Sequence, residues 1–261
     1  MMRDICKYFN VDEDEITKFL ESIDSDDDYE IDKCINRFID EHPPITAIDK
    51  MLFFHLSRRL DTCQSNGALN LFDLLTMESP LSNFFKKYGI TFVFSNEHIE
   101  VKQNGKIVFI DSMKDTNVNI TNLKGRLGYA DCSIDYCVNG YAIRIYEDNT
   151  YYRWLGKCPE FVSLLSKGLN RKEIALDYQK ESNYYLYVYC LPINMVIIDN
   201  KEDQTVDDKV RYLLVEFLYN LQYKLKNGER SLKNPIKNLY LRLDEYQNID
   251  EKYMVDHILL K

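Results

Sequence analysis

The sequence has few of the residues that mark flexible, disulfide-bonded or membrane-spanning chains. Nine glycines and six prolines in 261 residues exclude a linker or a low-complexity protein. Seven cysteines are scattered singly without a CxxC pair, which favours reduced, partly buried thiols over a disulfide framework or a zinc site. No long uncharged apolar stretch occurs, and the N-terminus lacks the apolar core of a secretory signal. We therefore predict a cytoplasmic protein without a membrane partner.

Signature motifs of the common enzyme classes are also missing. The chain has no P-loop, GxGxxG, HExxH or GxSxG pattern. Its four histidines are far apart in the sequence, so no metal is expected. The run Asp26-Asp27-Asp28 lacks the glycine and the distal glutamate of an EF-hand loop, and this favours a solvated turn and helix cap.

The charge is negative overall but uneven along the chain. The net charge of −9 argues against broad binding to a phosphate backbone. Much of the acid lies in the first 42 residues, and the remainder is close to neutral, so a local basic groove stays open. A basic segment with interleaved tyrosines could bind nucleic acid or an acidic partner, or could be a solvated surface. Its basic residues are Lys224, Lys226, Arg230, Lys233, Lys237 and Arg242.

Helical and strand patterns follow one another along the chain. Asp12 with Glu15, and Asp27 with Glu30, have the spacing of capping boxes before two apolar stripes, so residues 1–44 are predicted to be an acidic helical hairpin. Residues 45–200 are predicted to form an α+β core, and residues 201–261 a helical C-terminal segment packed on it. The fold class is therefore α+β, with an N-terminal helical hairpin, a central mainly antiparallel sheet and C-terminal helices.

Several elements of the core have specific signals. Ser79-Pro80 begins a helix, and Asn104-Gly105 predicts a hairpin between two strand-like runs. Residues 141–146 and two runs within residues 184–198 are predicted strands. Residues 210–225 carry the clearest helical spacing, and the tail after residue 236 is predicted to be helical or mixed.

The apolar run over residues 51–60 is ambiguous, because its spacing matches a helix while residues 53–56 also resemble a short buried strand. Its length slightly favours the helix. The functional hypothesis below requires the strand, with Tyr141 lying across from it.

A loose set of polar residues could form a site in this region. His55 is followed two residues later by Ser57, and Tyr141 begins a predicted strand after Asn139-Gly140. Over residues 50–200 at most, this set resembles the ADP-ribosyltransferase family, which holds NAD in a cleft of a split antiparallel sheet. The resemblance implies that His55 and Tyr141 are catalytic and that Ser57, with the adjacent Arg58, binds the cofactor. His55 and Ser57 would hydrogen-bond the nicotinamide ribose, and the Tyr141 ring would stack on nicotinamide.

The family also places a glutamate on a late strand, where it stabilises an oxocarbenium-like centre. This sequence departs from that pattern, because Glu181 and Glu202 only flank the predicted late strands and Glu216 lies in a helix. The departure leaves the catalytic carboxylate open.

Structural explanations exist for each candidate residue. His55 could be a core histidine, and Arg58 and Arg59 could pair with the acidic hairpin. Residues 126–129 could form an anion-binding turn or a purely structural one. Three functions stay open: a NAD-using ADP-ribosyltransferase-like enzyme that modifies a macromolecule, a non-catalytic protein-interaction module, and a nucleic-acid-binding module that uses residues 224–242.

Overall fold

The fold combines α-helices with two antiparallel sheets and confirms the predicted α+β class. The structure is a computed structural model that describes residue 6 and residues 9–43, 47–63, 65–113, 120–129, 133–146, 150–229 and 235–260. Within these ranges it contains nine α-helices and nine strands.

The helices are α1 (Glu13–Glu21), α2 (Asp28–Glu41), α3 (Leu71–Thr76), α4 (Pro80–Lys86), α5 (Ile120–Leu127), α6 (Thr150–Leu155), α7 (Glu160–Gly168), α8 (Lys172–Lys180) and α9 (Val206–Lys226). The strands are β1 (Lys50–Leu60), β2 (Ile90–Ser95), β3 (His98–Gln103), β4 (Lys106–Ile107), β5 (Asn139–Tyr141), β6 (Ser182–Pro192), β7 (Ile197–Ile198), β8 (Tyr240–Arg242) and β9 (Met254–Leu259).

The N-terminal helical hairpin forms as predicted and packs on α9. Asp12 caps α1 by accepting a hydrogen bond from the Glu15 amide at 2.7 Å, and Asp27 caps α2 through the Tyr29 amide at 2.9 Å. The Asp26-Asp27-Asp28 run therefore contains the predicted helix cap. The inner face of the hairpin joins one large apolar cluster with α9 and one face of the six-stranded sheet.

The main sheet has the strand order β7-β8-β5-β1-β6-β9, with every neighbouring pair antiparallel. The helix favoured for residues 51–60 is wrong, and the strand alternative is confirmed. Apolar side chains cover both faces of β1: Phe53 enters the large cluster beneath α9, and Leu56 enters a smaller cluster with α6 on the other face. A strand covered on both faces has no clean two-residue alternation, and this made the pattern ambiguous.

Three other predicted elements differ from the structure. The strand predicted over residues 141–146 is the short β5, and the second late strand shrinks to β7 after a 3₁₀ turn at Ile193–Met195. The tail predicted as helical or mixed supplies β8 and β9 to the sheet after the long helix α9. In the tail, Leu239, Leu241 and Leu243 are fully buried, and their two-residue spacing is typical of a strand.

The second sheet, β2-β3-β4, contains the predicted Asn104-Gly105 turn. It packs with α3, α4, α5, α7 and α8 around a second apolar cluster, and Leu60 at the end of β1 joins that cluster. Among the described residues, no helix combines the length and the apolarity that crossing a bilayer would require.

Candidate functional site

The site lies where β1 and β5 separate. β1 pairs with β6 along its whole length, from Lys50↔Pro192 to Leu60↔Ser182. On its other side, the register with β5 consists of the single pair Phe54↔Tyr141. No further pair of these two strands follows among the described residues, so the ladder ends next to His55, and we call this end of the ladder the split.

The peptide groups at the split follow from the alternation of an antiparallel ladder. The Asp61 N–H donates to the Glu181 carbonyl at 3.1 Å. Since alternate residues of an antiparallel strand bond to the same neighbouring strand, the odd-numbered residues of β1 exchange their backbone hydrogen bonds with β6. The peptide groups of the even-numbered residues Leu56 and Arg58 therefore point away from β6, to the β5 side of the strand. Consistently, the Arg58 carbonyl accepts a hydrogen bond from Tyr178 Oη at 3.0 Å. Leu56 has no ladder pair on this side, so its N–H and C=O face the gap.

His55 stands at the start of the gap as a neutral acceptor. Its Nδ1 lies 2.7 Å from the Asn139 carbonyl, which can only accept, so the shared proton is on Nδ1. Desolvation by burial lowers the pKa of His55 to about 4, although the hydrogen bond to Asn139 opposes the shift and the Arg59 charge adds to it. At neutral pH the ring is uncharged, and Nε2 keeps a lone pair that can accept a hydrogen bond.

A cleft of about 990 Å³ opens at the split, and its walls include His55, Ser57, Arg58 and Tyr141. His55 and Ser57 share one face of β1 because they are two residues apart. Tyr141 is opposite Phe54 and packs on the other face of the sheet with the Leu56 cluster. The four predicted site residues thus line one cleft, although Tyr141 does not share a face with the His55–Ser57 pair.

Arg58 is held by protein oxygens. Its guanidinium donates to Ser182 Oγ at 3.0 Å, to the Gly156 carbonyl at 2.5 Å, to the Gln179 carbonyl at 2.7 Å and to the Ser182 carbonyl. A guanidinium has five N–H donors, so little capacity is left for a bound anion. These contacts give Arg58 a structural role between β1 and β6 besides its position on the cleft wall.

Arg59 also binds its neighbours in the sheet. Its guanidinium carbon lies 3.8 Å from the centre of the Tyr187 ring, and its two terminal nitrogens donate to Tyr189 Oη at 3.1 Å and to the Ser65 carbonyl at 2.8 Å. Among the described residues, neither Arg58 nor Arg59 forms an ion pair with the acidic hairpin, the alternative considered from the sequence.

The carboxylates of the cleft are not those considered from the sequence. The glutamates near the predicted late strands bind cations elsewhere: Glu181 pairs with Lys87, Glu202 with Arg242, and Glu216 with Lys237. The described cleft wall instead carries Asp135, Glu160, Asp250 and Glu251.

Arg126 and Glu160 form an ion pair in the cleft wall. Arg126 donates to Glu160 at 3.0 Å and to Asp135 at 3.1 Å. The Arg126 side chain, which the sequence left open as part of an anion-binding or a structural turn, therefore binds protein carboxylates. Asn122 also donates to Glu160 at 3.2 Å. Sequence patterns missed Glu160 because it begins a helix, whereas the resemblance directed attention to late strands.

The predicted basic segment is largely neutralised by the protein's own carboxylates. Lys224 pairs with Glu229 at 2.8 Å, and Lys226 pairs with Asp26 of the N-terminal hairpin at 2.6 Å. Of the other four basic residues, Lys237 pairs with Glu216 and Arg242 with Glu202, whereas Arg230 and Lys233 lie outside the described residues.

Comparisons with protein-family models, with curated proteins and with solved structures find no match for this chain.

Proposed function

We propose that the chain binds NAD in the cleft between β1 and β5 and transfers its ADP-ribose to a macromolecular acceptor. The observation that carries this proposal is the split sheet itself. The ladder between β1 and β5 ends beside His55, and His55, Ser57 and Tyr141, three of the residues that the family resemblance suggests, line one cleft there. Its volume, about 990 Å³, lies at the upper end of the range for small-molecule sites.

The peptide edge of β1 supports binding of the nicotinamide end. A peptide N–H and C=O on one strand edge offer one donor and one acceptor side by side, and a ring carboxamide carries the complementary pair. Leu56 offers both groups next to His55. Neutral His55 can accept a hydrogen bond from a ribose hydroxyl through Nε2, and the Ser57 hydroxyl can donate to or accept from the same sugar.

The transfer requires a carboxylate near the anomeric carbon. The bond between ribose C1′ and the nicotinamide nitrogen breaks, nicotinamide leaves with the bonding electrons, and an acceptor nucleophile attacks C1′ and loses its proton. A nearby carboxylate stabilises the positive charge that develops on the ribose. We assign this role to Glu160, because Arg126 and Asn122 fix its position in the cleft wall.

Binding of NAD to the purified chain tests the proposal. We expect millimolar NAD to raise the melting temperature by several degrees, since a ligand at about 100 times its Kd adds about 2.7 kcal/mol to stability. His55→Ala removes the effect, whereas His257→Ala, an exposed histidine on β9, keeps it. Glu160→Gln keeps the NAD-induced rise but loses at least about tenfold in nicotinamide release. No melting shift and no nicotinamide release in the wild type would overturn the proposal.

Nucleic-acid binding through residues 224–242 is the weaker proposal. The ion pairs of Lys224 and Lys226 reduce the positive charge that this mode requires. A protein partner for the acidic hairpin has less support, because the hairpin's apolar face is already covered by α9. A cytoplasmic location remains part of the proposal, supported by six cysteines that are unpaired within the described residues.

A further inference from the structure

The six-stranded sheet ends on one side in a strand whose outer edge is open. β9 is the last strand in the order, so β6 covers one of its edges and no described strand pairs with the other. Residues 255–257 and 259 are exposed, and Val255 and Leu259 are 57% and 59% exposed although both are apolar. An exposed apolar edge is the part of a sheet that most readily adds a further strand.

The outer edge of β9 carries the peptide groups of His257 and Leu259. The Leu260 N–H donates to the Tyr184 carbonyl of β6 at 2.8 Å. Because alternate residues of an antiparallel strand bond to the same neighbouring strand, the even-numbered residues of β9 face β6, and His257 and Leu259 face outward. Consistently, the His257 N–H donates to the adjacent Asp256 carboxylate at 2.8 Å.

We propose that β9 pairs antiparallel with β9 of a second copy of this chain and joins the two six-stranded sheets across a two-fold axis. This inference is independent of the NAD function. An axis through Ile258 sets the two Ile258 residues opposite each other and His257 opposite Leu259 of the second copy. His257 and Leu259 then exchange both backbone hydrogen bonds, and the symmetry repeats this pair. The register avoids the one shift in the β6–β9 ladder, which lies on the N-terminal side of Asp256.

The edge is complementary to itself in this register. Ile258 and Leu260 pack against the apolar cluster beneath α6, so the axis would bring the two copies of that cluster together. Asp256 is the only acidic or basic residue within residues 254–260. Its two copies would lie four residues apart along the ladder, about 14 Å, so no like charges face each other. A closed two-fold contact of this kind also leaves no open edge at β9.

Sedimentation equilibrium of the purified chain tests the pairing. So small an interface lies at the weak end of protein–protein contacts, so we expect a reversible dimer that forms at about 10–100 μM protein. Leu259→Pro removes an outward N–H from each copy and leaves the β6 ladder intact. It should weaken the dimer at least about twentyfold, since each lost hydrogen bond accounts for about fivefold. Leu259→Thr keeps the N–H and should weaken the dimer by about fivefold or less.

Asp256→Ala tests the competing hydrogen bond at the edge. The dimer requires the His257 N–H, which the Asp256 carboxylate accepts in the single chain. Removal of this acceptor should tighten the dimer by about fivefold. Asp203→Ala removes another exposed aspartate, on the turn before α9, and should leave the dimer Kd unchanged. Equal effects of the two variants would trace the gain to lower net charge and overturn the edge pairing.

Oxidative cross-linking of Ile258→Cys tests the register. Opposite residues of a non-hydrogen-bonded pair have Cα atoms about 4.5 Å apart, within reach of a disulfide, so a covalent dimer should form. The two copies of residue 259 are offset along the ladder, so Leu259→Cys should give no more cross-linking than the wild type. A dimer that Leu259→Pro leaves intact, or equal cross-linking at both positions, overturns the proposal. A wild type that stays monomeric at about 300 μM leaves the edge to a different strand and overturns it too. Melting curves establish that each variant is folded.

Discussion

The two edges of β1 differ in how much of the strand they pair. The β6 edge is paired at all eleven residues, and Arg58 adds hydrogen bonds to Ser182 at the end of that ladder. The β5 edge is paired only at Phe54↔Tyr141, and the cleft begins beyond it. One strand therefore has a complete ladder on one side and a single ladder pair on the other.

This difference explains why candidate ligand groups gather at the split. Unpaired peptide groups on a buried strand are costly, so they persist where side chains or a ligand can satisfy them. Here Tyr178 satisfies the Arg58 carbonyl, and His55 takes the carbonyl of Asn139 across the gap. The Leu56 peptide group has no ladder partner on the β5 side, and the Asn139 amide oxygen is buried without a hydrogen bond from a described residue. The complete β6 ladder keeps these groups in place.

Arg58→Met should have the largest effect on stability, and it tests the β6 edge of β1. The change leaves the carbonyls of Gly156, Gln179 and Ser182 without their donor, so the free energy of unfolding should fall by about 2–4 kcal/mol. Chemical denaturation measures this loss. Arg171→Met removes a partly exposed ion pair with Glu173 and should change stability by less than about 1 kcal/mol. A stable Arg58→Met variant that no longer binds NAD would instead make Arg58 a ligand-binding residue, as the sequence suggested.

Gly140→Ala tests the junction between the two strands. A Cβ at Gly140 would lie 2.5 Å from the Phe53 ring, so β5 or the ring must move, at a cost of about 1–3 kcal/mol. Phe53→Leu should relieve the clash, and a double-mutant cycle should then show that the two losses are not additive. Gly168→Ala, where the nearest atom is 3.4 Å away, is the matched control and should be close to neutral. Additive losses at Gly140 and Phe53 would contradict this tight packing.

Local signals in the sequence predicted the elements that depend on near neighbours. The caps at Asp12 and Asp27 and the Asn104-Gly105 turn each involve residues close in the chain, so their patterns were sufficient. β1 was ambiguous because its faces are covered by α9 and α6, which are distant in sequence.

The site could be predicted only in part, because it depends on where a sheet stops pairing. His55 and Ser57 were identified as a pair, but the hydrogen bond from His55 to Asn139 joins residues 84 positions apart. Asn139 and Glu160 had no motif to mark them, since one lies in a three-residue strand and the other begins a helix. The assigned roles of His55, Ser57, Arg58 and Tyr141 stay predictions until a ligand is measured.

The pH dependence of stability tests the neutral state of His55. In the unfolded chain His55 takes up a proton near pH 6.5, whereas in the fold its pKa is lowered to about 4. The unfolded state therefore binds more protons between these values, so stability is complete above pH 6.5 and falls as the pH drops towards 4. In His55→Asn the amide can still donate to the Asn139 carbonyl, but no ring is left to titrate. The drop in the free energy of unfolding between pH 6.5 and pH 4 should therefore be smaller than in the wild type, by on the order of 1–3 kcal/mol.

Urea denaturation at a series of pH values measures the His55 effect. His257→Asn on the exposed strand β9 should keep the wild-type slope and is the matched control. An unchanged slope in His55→Asn would mean that the His55 ring titrates in the fold much as it does in the unfolded chain.

Ser57→Ala should have the smallest effect on stability, and it tests whether a side chain of β1 in the cleft wall binds the ligand. Ser57 pairs with Tyr185 through its backbone, but no hydrogen bond between its hydroxyl and another described residue occurs. The variant should therefore change the free energy of unfolding by less than about 0.5 kcal/mol. If the hydroxyl binds the nicotinamide ribose, NAD affinity should fall by about fivefold, the value of one net hydrogen bond of about 1 kcal/mol. Ser95→Ala on β2, outside the cleft wall, is the matched control for calorimetric titration. Lower stability with unchanged NAD affinity would mean that Ser57 stabilises the fold and does not bind the ligand. Unchanged stability with lower NAD affinity would show that the peptide ladder of β1 stabilises the sheet while its Ser57 side chain binds the ligand.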